Sequence, residues 1–398
     1  MNILSDRITS MTESATLAMA AKAREYKAKG IDVISLSLGE PDFKTPKHIQ
    51  EGAKKAIDEG AYFSYPPVNG YQDLREVISD KFKKDNGLDY APEQIVVSNG
   101  AKQSLANIFQ SIINEGDEVV VFSPFWVSYS AQIELAGGTP IYLKGGIEND
   151  FKVTATQLEE AITDKTKAII YSSPCNPTGS GFTKGELEAL AQVILKHDDI
   201  LVISDEIYEH INYTGKHASM GAIPGMIDRT VTVNGMAKGF AMTGWRVGYI
   251  GAPLWLAKAC TKVQGQFTSA NCSIAQRATL TALTSDLGPT KAMEKEYLRR
   301  REIVKGLLDN IPGFKTNMPQ GAFYFFPDVS AYFGKSDGEH TIENASDLAM
   351  FILEHAHVSV VTGEAFGDPN CIRLSYAASE EDLRKAIDQM KTALSKLH

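Results

Sequence analysis

Between residues 94 and 251 the chain repeats one motif, a short apolar run followed by a polar or glycine-rich turn. The runs are "QIVVS" (94–98), "EVVVF" (118–122), "PIYLK" (140–144), "AIIYSS" (168–173), "ILVIS" (200–204), "TVTVN" (230–234) and "VGYIG" (247–251). Several are apolar at consecutive positions, so both faces must be covered, as in a mostly parallel sheet flanked by helices. About 30 residues separate the later runs, enough for a helix in each crossover. The last two are too close for that, and one of them is expected to run antiparallel. Further on, "SDLGPTKAMEKEYLRRREIVKGLLDN" (285–310) combines helical periodicity with dense charge and predicts a long, exposed connecting helix. The β-rich "GAFYFFPDV" and "CIRLSYA" then flank the helix-like "ASDLAMFILEHA", which predicts a smaller α+β domain.

Length agrees with two lobes, since 398 residues exceed the ~250–300 at which single cores stop growing. The expected division is 1–45, joining the small domain; 46–288, the large α/β domain; and 289–398, the connecting helix and small domain. The start of the chain lacks a basic segment followed by an apolar core, and no apolar run reaches the ~20 residues of a membrane span, so a cytoplasmic protein without membrane contact is expected. A net charge of −9 without a Lys/Arg cluster speaks against nucleic acid. Cys175, Cys260, Cys272 and Cys371 are scattered and are expected to be reduced, mostly buried thiols; no metal site is predicted.

Ligands of open parallel sheets bind beyond the carboxyl ends of the strands. The residues that follow the runs are "NGAKQS", "SPFW", "PCNPTG", "DEIY" and "GMAK". Lys238 follows an apolar strand among Gly235, Met236, Ala237, Gly239 and Phe240; loss of water there lowers a lysine pKa and suits it to a Schiff base. Asp205 ends a buried run. It can cap a helix over "EIYEHI" or hold a protonated ring nitrogen, with Tyr208 one helical turn away. Arg246 and the amides of Gly100 and Ala101 at a helix start form a candidate phosphate pocket, and with Lys238 they point to pyridoxal phosphate.

"PCNPTG", "SDEIY", "AKGFAMTGWRVGY", "GAFY" and "IRLSY", in this order, resemble the class I aminotransferases of fold type I, with a seven-stranded mostly parallel sheet and a smaller α+β domain. "SATLAMAAKAREYKAKGIDVISLSLGEPDF" resembles in particular their bacterial aspartate subgroup, which also contains prephenate aminotransferases. The resemblance implies that Lys238 carries the cofactor and shuttles the α-proton, and that Asp205 pairs with the ring nitrogen. It further implies that Asn176 and Tyr208 bond the phenolic oxygen, Trp126 stacks on the ring, and Gly100, Ala101, Lys102 and Arg246 approach phosphate or substrate. Tyr65 matches a tyrosine that reaches the partner subunit's phosphate, implying a homodimer with shared sites. Arg373 matches the grip on the α-carboxylate and Gly39 lines it, while Lys102, Ser14 and Thr16 are associated with dicarboxylic substrates. One departure is Ala237, where relatives usually have serine, which predicts a weaker phosphate grip.

The implied reaction is transamination of L-aspartate with 2-oxoglutarate, the alternative being prephenate or aromatic amino acid substrates. Fold alone does not choose among the chemistries it hosts. A nicotinamide dehydrogenase needs GxGxxG after its first strand and an acid ~20 residues on, and neither is present. A transcription regulator on this fold needs an added DNA-binding domain, for which the chain has no room.

Overall fold

The computed structural model describes residues 3–9, 11 and 15–398. Twelve strands are described: β1 (Ile34–Ser35), β2 (Ile95–Ser98), β3 (Glu118–Ser123), β4 (Thr139–Lys144), β5 (Thr166–Ser172), β6 (Leu201–Asp205), β7 (Thr230–Gly235), β8 (Gly248–Gly251), β9 (Tyr324–Phe325), β10 (Val358–Ser359), β11 (Val361–Thr362) and β12 (Ile372–Ser375). Seven form one sheet in the order β2-β8-β7-β6-β5-β3-β4. β8 is antiparallel to both β7 and β2, and the other neighbours pair in parallel. The short β7–β8 connection therefore joins antiparallel strands.

Side chains alternate between two cores. Val119, Val121, Ile170, Ile203, Val231 and Ile250 enter one, while Val120, Ile169 and Val202, and on the β2 side Val97 and Tyr249, face the opposite layer. This is the double-sided burial that consecutive apolar residues require. Crossover helices are started by side chains: Thr183 and Glu186 form a capping box at helix Lys184–Ile194, and Thr154 and Gln157 do the same for Ala155–Ala161.

A further core joins Met19, Ala23, Val33, Ile34 and Leu36 to residues between Met293 and Leu397, and takes in Tyr208, Ile211 and Ala241 at its border with the large sheet's loops. β1 pairs in parallel with β10, and β11-β12-β9 form an antiparallel sheet. The helix expected to be exposed spans Gly288–Leu308 and buries one face, with Met293, Tyr297, Arg300, Val304 and Leu308 inside. Its charge density hides an apolar stripe. Cys260 and Cys371 are buried, Cys175 is half-buried and Cys272 is exposed, so burial is less complete than expected. Among the described residues no helix is long and apolar enough to cross a membrane.

Candidate active site

The strand ends converge on a cavity of about 770 Å³. It is lined by Thr16, Gly39, Ala101, Lys102, Trp126, Asn176, Asp205, Tyr208, Ala237, Lys238, Arg246 and Arg373. Gly100 borders it as the N-cap of helix Ala101–Ile112. Tyr65 lies elsewhere, 96% exposed. Ser14 lies outside the described residues.

Asp205 is the last residue of β6 and is buried. Burial raises its pKa to about 6, against the hydrogen bonds that favour its charge, from Tyr129 Oη to Oδ2 (2.6 Å) and from Ile207 N to Oδ1 (3.2 Å). No helix follows it. Glu206 N continues the sheet to Val233 O, and residues 207–210 form turns closed by Glu209 N to Glu206 O and Ile211 N to Tyr208 O. Asp205 is thus free of the capping role that was its alternative, and Tyr208 reaches the cavity from a turn. The Tyr208 hydroxyl meets Tyr324 Oη at 2.7 Å, and burial holds its pKa well above the usual value.

Lys238 follows β7 closely, with Nζ bonded to the Gly39 carbonyl oxygen and facing the Tyr208 and Phe323 rings at 5.6 and 5.7 Å. Burial first, and then the Arg373 cation, lowers its pKa to about 8. A Cβ at position 39 would stand 2.3 Å from Tyr324 Oη, so only glycine fits there.

Arg246 has left-handed backbone (φ 57) and is exposed. Its Nη1 donates to Thr243 O (2.9 Å) and its Nη2 to Asn99 O (3.3 Å). Gly100 (φ 85) leaves the space: a Cβ there would lie 2.4 Å from Arg246 Nη2. In the adjoining helix the first internal amide bond is from Gln103 N to Gly100 O, so the amides of Ala101 and Lys102 precede it as first-turn donors, whereas Gly100 N, expected beside Ala101 N in the phosphate pocket, donates to Ser98 O (2.8 Å). Lys102 Nζ sits 5.0 Å from the Trp126 ring, and burial, followed by the Arg246 charge, lowers its pKa.

Arg373, on β12, is 2% exposed. Nη1 donates to Asn176 Oδ1 (2.9 Å) and Nη2 to Ser37 O (2.5 Å), both neutral, while the Tyr324 and Phe366 rings lie 4.7 and 4.8 Å from the guanidinium. Its Nε is buried without a partner. A buried cation that lines the cavity and is bonded only to neutral oxygens is set to receive an anion.

Two tyrosines of the cavity carry no role in the sequence reading. Tyr129 lies three positions after Trp126 within "SPFWVSYS", and Tyr324 stands inside "GAFY", a motif that contributes to the resemblance without a role for its tyrosine.

The aminotransferase class I and II family model matches residues 31–390. The chain belongs to that family. It is 44% identical over 396 residues to a bifunctional aspartate aminotransferase and glutamate/aspartate-prephenate aminotransferase of Petunia hybrida, covering 98% of this chain and 82% of that protein. It is 44% identical to an aspartate aminotransferase of Geobacillus stearothermophilus, covering 99% and 98%. An aspartate aminotransferase from Thermus thermophilus, solved with maleate, superimposes with a TM-score of 0.93 at 41% identity, over 99% of this chain and all of that one.

Members of this family depend on pyridoxal 5′-phosphate, and the cavity fits that group. Lys238 offers an amine poised near neutrality, Asp205 a carboxylate for the ring nitrogen, and Trp126 a ring face. Arg246 and the amides of Ala101 and Lys102, with the space left by Gly100, would hold the group's phosphate. When bound, the group supplies an electron sink for bonds at an amino acid's Cα.

Proposed function

We propose that this chain transaminates L-aspartate with 2-oxoglutarate in a ping-pong reaction, giving oxaloacetate and L-glutamate. The observation that carries this reading is the pair of cations, Arg373 and Lys102, placed in one cavity with the amine of Lys238. Arg373 holds the α-carboxylate. Lys102, with Thr16, receives the side-chain carboxylate; Ser14 shares that role in the resemblance but lies outside the described residues. Lys238 Nζ removes the proton from Cα, and Asp205 holds the proton of the ring nitrogen. The names of the relatives in Geobacillus and Thermus support aspartate. The name of the Petunia relative supports prephenate as a second acceptor, which rates with oxaloacetate and with prephenate separate.

The protein acts as a cytoplasmic homodimer in this reading. Exposed Phe63 and Tyr65 support it, with Tyr65 reaching the partner's phosphate. The core that joins residues 19–36 to 293–397 supports the division at about 45 and 289.

Purified protein supplied with pyridoxal phosphate should develop a visible chromophore that Lys238→Ala abolishes. Its absence from the wild type overturns the reading. Lys102→Ala should raise the KM for aspartate about 10-fold or more, as expected for a lost charge-assisted bond, and that for phenylalanine much less. Equal effects on both remove Lys102 from side-chain recognition.

A further inference from the structure

Glu206 and Glu209 alternate with Asp205 and Tyr208 along one turn but line no part of the cavity. Both are buried. Glu206 Oε2 accepts from Ser219 Oγ (2.6 Å) and Asn86 Nδ2 (3.1 Å) and lies 2.7 Å from His217 Nε2, while Oε1 accepts from Ser204 Oγ (2.9 Å). Asn86 Nδ2 also donates to Glu209 Oε2 (2.7 Å), Asn86 Oδ1 accepts from Lys81 Nζ (2.7 Å), and Lys81 pairs with Glu209. Burial opposes a charge on His217, but the Glu206 carboxylate outweighs it and raises the imidazole pKa. The two acids thus face Lys81 and His217.

Asp205 is fixed by the sheet on both sides and by Tyr129 and Ile207 N, whereas the turn that carries Tyr208 has only the backbone bonds Glu209 N to Glu206 O and Ile211 N to Tyr208 O within it, so side chains must help to fix where Tyr208 points. Buried ion pairs are poor sources of stability, since apolar replacements often do as well. Placement of the turn is what this one supplies. We propose that Glu206 is a positioning residue for the reaction: held by Ser204, Asn86, His217 and Ser219, it fixes the turn that follows Asp205 and carries Tyr208 to the cofactor. The proposal rests on the pyridoxal phosphate reading of the cavity and adds to it a support built from distant segments of chain.

The test uses the holoenzyme and measures kcat per cofactor-loaded site, KM for aspartate, the dissociation constant of pyridoxal phosphate and the melting temperature. Glu206→Gln keeps the size and removes the charge. It should lower kcat per loaded site about 10-fold or more and weaken cofactor binding, as loss of supporting contacts does at other sites, while KM stays within about twofold. Ser219→Ala, which removes one donor, should do the same more weakly, and Ser219→Thr, which keeps the hydroxyl, should restore both values. That pair decides the matter if Glu206→Gln does not fold. Unchanged kcat per loaded site and cofactor affinity, with only the melting temperature lowered, would make the cluster merely structural and overturn the proposal; so would a change confined to KM. A wild type that binds no pyridoxal phosphate overturns the underlying reading instead.

Discussion

Two arginines line the same cavity, and the chain holds them in opposite ways. Arg373 is 2% exposed, bonded to neutral oxygens with two aromatic rings near it, and burial lowers its pKa. Arg246 is exposed on a left-handed residue, steadied by two backbone carbonyls above a glycine. A buried cation without a counter-charge is costly until an anion arrives, which in the proposed reading suits Arg373 to a group that enters and leaves with each turnover. An exposed cation beside helix amides is one of several weaker donors, suited to a group that stays bound.

The largest predicted effects separate the two. Arg373→Gln should lower kcat/KM for aspartate by about 10² to 10³-fold, the cost of a buried charge pair, and leave pyridoxal phosphate affinity nearly unchanged. Arg246→Gln should weaken cofactor affinity by about 10- to 100-fold and leave the KM of the fully loaded enzyme nearly unchanged. Binding measurements and steady-state kinetics on both variants check this, and an exchange of the two phenotypes would break the comparison.

A smaller effect sharpens it. With its pKa lowered to about 8, Lys238 of the apoprotein should take up pyridoxal phosphate at a rate that rises with pH to about 8 and then levels, read from visible absorbance. An ordinary lysine would keep gaining until its usual 10.5. The sign for stability follows. Between pH 8 and 10.5 the unfolded chain keeps a proton that the folded one has lost, so apoprotein stability rises with pH across that window. Because Arg373 lowers this pKa more than Arg246 does, Arg373→Gln should move the inflection further upward than Arg246→Gln.

The strands were legible because burial on both faces writes consecutive apolar residues into the chain, as in β5 and β6. The reversal of β8 was legible from the shortness of its connection. The turn after Asp205 was not. "EIYEHI" has the look of a helix, yet Glu206 and Glu209 are drawn into a cluster with Lys81, Asn86 and His217, partners more than 100 residues upstream or beyond the turn. The buried face of Gly288–Leu308 was masked by dense charge, and Arg300 on that face is itself buried, paired with Asp42 and Glu296. Lys238, Arg246 and Gly100 were legible too, because each stands in a short glycine-rich motif whose residue order carries its meaning. Tyr129 was not, because its bond to Asp205 exists only once the loop after β3 reaches β6 across the intervening β5.

The smallest effect concerns Ala237, which lines the cavity beside Lys238. If the exposed phosphate cradle is built from several modest donors, one more should add to it, whereas no single added hydroxyl could replace the buried guanidinium of Arg373. A hydroxyl donating to an anion contributes about 1.5 kcal/mol, so Ala237→Ser should tighten pyridoxal phosphate binding about 10-fold. KM for aspartate should stay the same. Equilibrium titration of the apoprotein measures the difference. An unchanged dissociation constant would mean that Arg246 and the helix amides already satisfy the phosphate, and that the alanine costs this chain nothing.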